Sequence, residues 1–208
     1  MDCRLCLHNE LTALRRADTQ RYYLCRRCGL IGVHPEDLPA RAEEKERYLL
    51  HENGPDHAGY RAFLSRAIDP AMPFLRAGMK GLDYGCGHTP TLSGLLQERS
   101  LPCDDYDPLF FPNKPGRYDF IFSTEVFEHF FEPRRDIAKI TGHLNPGGLL
   151  IVMTERYQTI EQFADWYYPS DPTHVAFYHD DTFRFIRETY NFETVYDDGH
   201  RLIILRKN

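Results

Sequence analysis

From residue 79 to residue 208 the chain alternates apolar runs, glycine or proline breakers and amphipathic stretches, and no other feature limits its fold so tightly. "MKGLDYG" reads as a short buried strand ending at Asp83. The glycine loop follows, with Thr89 placed to N-cap a helix and Pro90 suited to its first position. "TLSGLLQER" is that helix. "LPCDDYDP" reads as a second strand ending in acid, and "YDFIFSTEVFEHF" as a third with a polar exit. A helix around "RRDIAKITGHL", the turn "NPGG" and the strand "LLIVMT" come next. This order predicts an α/β fold on a mostly parallel sheet.

The stretch "LDYGCGHT" sets the functional question. Gly85 and Gly87 lack the side chain that would keep a ligand off the backbone. A strand, a glycine loop and a helix in that order let backbone N–H groups face a ligand. The loop is not a full dinucleotide fingerprint, because Pro90 stands where a third glycine would fall. The stronger signal is distance: Asp107 lies 22 residues beyond Gly85, where an acid at the end of the next strand can bond ribose hydroxyls.

The first 28 residues carry a second constraint. Cys3 and Cys6 form one CxxC knuckle, Cys25 and Cys28 another, and together they supply four soft ligands for a tetrahedral structural zinc. So short a segment buries little core of its own, so the metal would stabilise it directly. With four thiolates such a site has no open position and no catalytic role. Residues 35–78 are expected to be mainly helical. The expected helices are one starting at Pro35 and one over "GYRAFLSRAI", separated by Gly54-Pro55.

Composition excludes several classes. No run approaches a membrane span, and "MDCRLCLHNE" lacks a signal-peptide core, so a cytoplasmic protein is expected. A net charge of −6 argues against a broad nucleic-acid surface. Arg15, Arg16, Arg21, Arg26 and Arg27 nevertheless cluster in the cysteine module. They read as a solvated face, with a basic docking patch as the alternative.

The segments "GLDYGCG", "YDP", "YDFIFSTEVFEHFFEP", "HLNPGGLLIVMTE" and "DPTHVAFYHDDTFRFI" together resemble the class I S-adenosylmethionine-dependent methyltransferases. More narrowly, the chain is similar to a bacterial subgroup with an N-terminal CxxC pair. The resemblance implies three parts: a zinc-ribbon-like module (1–34), a helical cap (35–78) and a Rossmann-like methyltransferase domain (79–208). It also implies S-adenosylmethionine as cofactor, lying along Asp83, Gly85, Cys86 and Gly87 with Asp107 on its ribose. Ser123, Thr124 and Glu125 would line the methyl-transfer site, and Tyr48 and Tyr60 of the cap would close over the cofactor. The chain departs from the family in one place. Only eleven residues, Pro108 to Tyr118, join the second strand to the third, too few for the usual helix and strand. A reduced sheet is therefore expected. Phe110 and Phe111 would either cover the adenine or pack as ordinary core.

"WYYPSDPTHVAFYHDD" reads as an irregular lid, broken by Pro169 and Pro172, where the family builds its acceptor pocket. His174, then Tyr178 or His179, are the candidates for acceptor contact, and Glu125 is the candidate base. His129 reads first as a residue that fixes its turn. The expected function is methylation of a small-molecule acceptor at O, N or C. The alternatives are an RNA methyltransferase docking through its ribbon and a non-catalytic cofactor-binding module.

Overall fold

The computed structural model describes residues 1–40, 54–113 and 116–208. Strands β1 (Leu11–Leu14), β2 (Tyr22–Cys25) and β3 (Ile31–Val33) form an antiparallel meander beside the cysteine knuckles. The helix expected from Pro35 does not start there. Pro35–Asp37 makes one 3-10 turn, and Leu38 leaves it in extended conformation. The remainder of that expectation, including Tyr48, His51 and Asn53, lies outside the described residues. Helix α1 (Ala58–Ala71) forms as expected. The His57 ring caps it by accepting from the Tyr60 N–H at 3.0 Å. Its stripe of Leu64, Ala67, Ile68 and Ala71 is buried, at the spacing that puts one helix face on a core.

Next come β4 (Gly81–Tyr84), α2 (Leu92–Gln97), β5 (Cys103–Tyr106) and β6 (Tyr118–Thr124). They are followed by α3 (Pro133–His143), β7 (Leu144–Met153) and α4 (Ile160–Phe163). The chain closes with β8 (Ala176–Phe177), α5 (Asp180–Tyr190), β9 (Phe192–Asp197) and β10 (Leu202–Lys207). The main sheet has the order β5-β4-β6-β7-β10-β9. Its first four strands are parallel, and β10 joins β7 and β9 antiparallel. The reduced sheet expected from the short connection is observed: six strands among the described residues. In place of the helix and strand, Asp107 and Phe111 exchange backbone hydrogen bonds at 3.1 and 2.9 Å and close a tight loop after β5.

The central strands are buried on both faces, and the period of two divides their side chains between two cores. Phe120 and Phe122, Ile151 and Met153, and Leu202 and Ile204 pack toward α1 and α2. Ile121, Leu150, Val152, Ile203 and Leu205 pack toward α3 and α5. The four cysteines, Leu5 and Leu30 belong to this second core.

The cysteine module is thus built into the α/β domain. β8, from the lid, adds to the edge of β3 with Ile31 opposite Phe177 and Gly32 opposite Ala176. A third, aromatic cluster joins the two: Tyr22 and Ile31 from the ribbon, with Tyr157, Phe163, Tyr168 and Phe177. Arg4 spans the junction, donating to the Phe131 carbonyl at 2.9 Å and the Val175 carbonyl at 2.6 Å. One local expectation is corrected. Thr91, not Thr89, takes the N-cap position of α2, and Thr89 and Pro90 stay in the loop. The Thr91 hydroxyl bonds back to the Thr89 carbonyl and tightens that loop.

Candidate active site

The glycine loop leaves β4 with two residues in the left-handed region, Gly85 at φ +87° and Gly87 at φ +69°. A Cβ at Gly85 would lie 2.4 Å from Val126 Cγ2, so this position admits no side chain. A Cβ at Gly87 would meet no protein atom within 4 Å, so the space over it is open. The Gly85 and Cys86 N–H groups donate to the Tyr106 carbonyl at 2.7 and 3.2 Å and fasten the loop to β5. The Gly87 N–H donates to Asp107 Oδ2 at 3.2 Å, while Asp107 Oδ1 accepts from the Leu109 and Phe110 N–H groups. Asp107 therefore holds both loops at the carboxyl edge of the sheet, where folds of this kind bind ligands.

These loops border a cavity of about 650 Å³, within the size range of cofactor and small-ligand sites. Of the expected cofactor residues, Gly85, Cys86, Gly87, Asp107, Thr124, Glu125 and Tyr60 line it. Asp83 does not. It lies buried under the loop, where desolvation, with Asp105 and Asp107 nearby, pushes its carboxyl well above the usual range. Ser123 is fully buried and also away from the cavity. Pro108 and Leu109 line the wall where Phe110 and Phe111 were considered; Phe110 packs instead near the His88 ring.

The opposite wall starts where β6 ends. Glu125 sits in the left-handed region, at φ +54°, a conformation unusual for a residue with a side chain. Burial, with Glu128 close by, pushes its carboxyl up to about 8 against the pull of Arg201 at 3.3 Å. A single 3-10 turn, Phe127–His129, follows, and the lid holds each of its residues. Tyr178 donates to the Phe127 carbonyl at 3.0 Å, the Val175 N–H to the Glu128 carbonyl at 2.8 Å, and His129 Nδ1 faces the Thr173 carbonyl at 3.0 Å. Burial holds the His129 ring well below its usual range, at about 4, so it is neutral. His129 and His174 both line the cavity, their rings edge to face with centroids 4.8 Å apart.

The lid candidates separate. His174 reaches the cavity, and its Nδ1 lies 2.8 Å from the Tyr168 carbonyl. Tyr178 and His179 do not line it. Tyr178 is spent on the Phe127 carbonyl. His179 is the N-cap of α5: its ring accepts from the Asp181 N–H, and Thr182 Oγ1 accepts from the His179 N–H, a capping box. The acceptor contact expected of this pair is therefore corrected, because both side chains are committed to holding the lid.

Some lining residues were not anticipated. Phe63 comes from α1, and Glu132, Arg135, Asp136 and Lys139 come from α3 and the residue before it. Their spacing of three, four and seven is a legible polar stripe, but any solvated helix face looks the same. Lys139 bonds the Tyr106 hydroxyl, with its ammonium 4.5 Å from that ring centroid.

The second site is the cysteine cluster. Cys3 and Cys28 have sulfurs 3.6 Å apart, Cys6 and Cys25 3.4 Å, and all four lie within 4.8 Å of one another. Tetrahedral zinc with bonds of about 2.3 Å spaces its sulfurs about 3.8 Å apart, so the set is compatible with zinc. The ribbon's arginines are largely engaged. Arg16 lies against the Tyr22 and Phe163 rings and pairs with Asp18, and Arg21 pairs with Glu36 and Asp37. Arg26 bonds Thr12, and Arg27 lies over the Phe185 ring. Among the described residues, no helix is long and apolar enough to cross a membrane.

Solved structures share the fold at low sequence identity. The 1,6-didemethyltoxoflavin-N1-methyltransferase of Burkholderia thailandensis, solved with 1,6-didemethyltoxoflavin and S-adenosylhomocysteine, is 13% identical, with a TM-score of 0.57 over 94% of this chain and 99% of its own. The N-methyltransferase NodS of Bradyrhizobium japonicum WM9, with S-adenosylhomocysteine bound, is 17% identical, with a TM-score of 0.50 over 79% and 97%. Magnesium protoporphyrin IX methyltransferase of Synechocystis PCC 6803, also with S-adenosylhomocysteine, is 12% identical, with a TM-score of 0.51 over 81% and 95%. No curated protein matches the chain in sequence. Residues 57–197 match the family described as a methyltransferase domain. That match spans most of the chain, including the glycine loop, both cavity walls and the lid, and the chain belongs to this methyltransferase-domain family.

Proposed function

We propose that the chain methylates a small-molecule acceptor, with S-adenosylmethionine along the Gly85–Gly87 loop and the acceptor against Glu125, His129 and His174. One observation carries this reading. A single cavity joins the open face of Gly87 and the Asp107 loop to a wall of ionisable side chains. The loop residues fit the cofactor, since Gly87 leaves room for close approach and Asp107 offers a carboxylate at the end of β5. When bound, the cofactor supplies an electrophilic methyl group. The protein's part is alignment and proton handling. Tyr60 and Phe63 give the cavity an aromatic wall that suits a planar or apolar body. Glu125, with its carboxyl near 8, can take a proton from an acceptor close to neutral pH. His174, anchored through Nδ1, presents its other ring edge as a positioning group.

The small-molecule reading is supported by the engagement of the ribbon arginines in ion pairs and ring contacts, which leaves little basic surface for a phosphate backbone. It is also supported by the B. thailandensis enzyme, whose acceptor is a small heterocycle. In this reading the four cysteines hold zinc, and the metal keeps the lid's ribbon partner folded.

The test is calorimetric titration of zinc-replete protein with S-adenosylmethionine and S-adenosylhomocysteine, then an acceptor screen with labelled methyl donor. Binding of both, with label transferred to a small molecule and reduced at least tenfold by His174→Asn, is the expected result. Label transferred only to RNA, or no cofactor binding by folded protein, would overturn it.

A further inference from the structure

We propose that Glu128, His129 and His174 form a second metal site, for a divalent first-row ion, where Glu128, buried behind the cavity wall, meets the two histidines that line it. One potential ligand atom from each residue lies within 4.8 Å of those of the other two. Metal bonds of about 2.1 Å place any two ligand atoms no more than about 4.2 Å apart, so small rotations of the two rings close the set. Two imidazoles and a carboxylate are the donor set that zinc, manganese and iron(II) take at sites that keep open positions.

The surroundings are those of a built ligand set. His129 Nδ1 faces the Thr173 carbonyl and His174 Nδ1 faces the Tyr168 carbonyl. A carbonyl only accepts, so each Nδ1 carries a proton, and Nε2 is the atom of each ring that would ligate. A backbone carbonyl behind each imidazole is how proteins fix the tautomer and aim of a metal-binding histidine. Glu128 has no solvent exposure, and its carboxylate is held by two neutral hydroxyls, Thr154 at 2.8 Å and Tyr168 at 2.6 Å. Those bonds orient a buried carboxylate without supplying the countercharge that a cation would bring. The three residues come from the turn after β6 and from the lid, so the ion would tie together the two elements that form the acceptor wall.

Resting on the methyltransferase reading, this narrows the acceptor to a hydroxylated small molecule that ligates through oxygen. Binding to the ion lowers the hydroxyl's pKa, and its proton passes to Glu125 and from there to solvent. The oxygen's electron pair then forms the new O–C bond, while the methyl–sulfur bond breaks with its pair left on sulfur. The ion is not consumed.

The experiment is equilibrium dialysis of the whole chain against Mn²⁺ and, separately, Zn²⁺, with metal content measured by mass spectrometry on wild type, Glu128→Gln and His174→Gln. Manganese reports on the proposed site because it does not compete for four thiolates. One equivalent of manganese, or a second equivalent of zinc, weakened at least tenfold in both variants, is expected. S-adenosylhomocysteine binding and the thiolate zinc should be retained. His174→Gln alters a partly exposed residue and keeps the test open if Glu128→Gln folds poorly. One zinc and no manganese in wild type, or uptake indifferent to both substitutions, overturns the site. Should the metal bind as expected while S-adenosylhomocysteine does not, the methyl-transfer reading falls and the metal site stands.

Discussion

Alanine at the two loop glycines separates the fold from the cofactor site. At Gly87 the only local cost is holding a Cβ in the left-handed region, about 1–2 kcal/mol, because no protein atom lies within 4 Å of it. For a chain of this size that is a fall in melting temperature of about 2–8 °C. The added methyl would, however, project over the loop that lines the cavity. If the cofactor lies there, Gly87→Ala should weaken S-adenosylhomocysteine at least tenfold, or about 1.4 kcal/mol. At Gly85 the same strain is joined by a collision with Val126, whose Cγ2 would be 2.4 Å away. Overpacking adds about 1–3 kcal/mol, so Gly85→Ala should melt lower than Gly87→Ala by several degrees. Scanning fluorimetry and calorimetric titration read both quantities on the same samples. A folded Gly87→Ala protein that binds S-adenosylhomocysteine with wild-type affinity would refute the placement. Equal melting temperatures for the two variants would refute the account of Gly85.

His179→Ala should cost about 1 kcal/mol in stability through the lost cap of α5 and leave kcat unchanged; a large kcat defect in steady-state assays would restore it to the acceptor site. Tyr178→Phe should destabilise by about 1 kcal/mol in urea unfolding, because it removes one of two bonds to the buried Phe127 carbonyl, which keeps the Phe130 N–H at 3.1 Å, and an unchanged midpoint would contradict that bond. Chelation of the thiolate metal should lower the melting temperature by about 10 °C or more and expose all four ribbon cysteines to thiol reagents, since the ribbon shares a sheet with the lid. Arg156 is fully buried and donates to Asp180 at 2.8 Å and to Asp197. Because both carboxylates reach solvent, Arg156→Met should cost no more than about 1–2 kcal/mol by urea unfolding, and a larger loss would show that the pairs are strongly coupled to the fold.

The parallel sheet was legible because its evidence is local and repeated: apolar runs at strand length, breakers between them, and too short a connection after Asp107 for the missing elements. The cysteine pairs were legible because a metal imposes spacing. Tyr178 and His179 were misread because polar aromatics in an irregular segment look alike in sequence, whether they face a ligand or hold a turn. Only the fold distinguishes them, by setting Tyr178 against the Phe127–His129 turn and His179 at the start of α5. The α3 face could not be recognised for the same reason in reverse. Its polar stripe has the pattern of a solvated surface, and only the packing of α3 beside the glycine loop turns that stripe toward a cavity. Thr89 lost the cap to Thr91 because the loop after Gly87 takes two more residues before the chain turns helical.

The strand β8 gives the ends of the chain unequal histories. The knuckles precede β8 by about 150 residues and leave the ribosome well before it. Yet the ribbon's fourth strand is Ala176–Phe177, and one carbonyl that satisfies Arg4 is 171 residues away. On the ribosome the cysteine module must therefore wait, with an unpaired β3 edge and a half-buried guanidinium, until the lid that carries β8 has emerged. Contacts of such separation form slowly, and an open strand edge invites wrong partners meanwhile. If the four cysteines hold zinc as proposed, early capture of the ion would keep that waiting segment compact, and zinc supply during synthesis should govern the yield of folded protein more than its turnover.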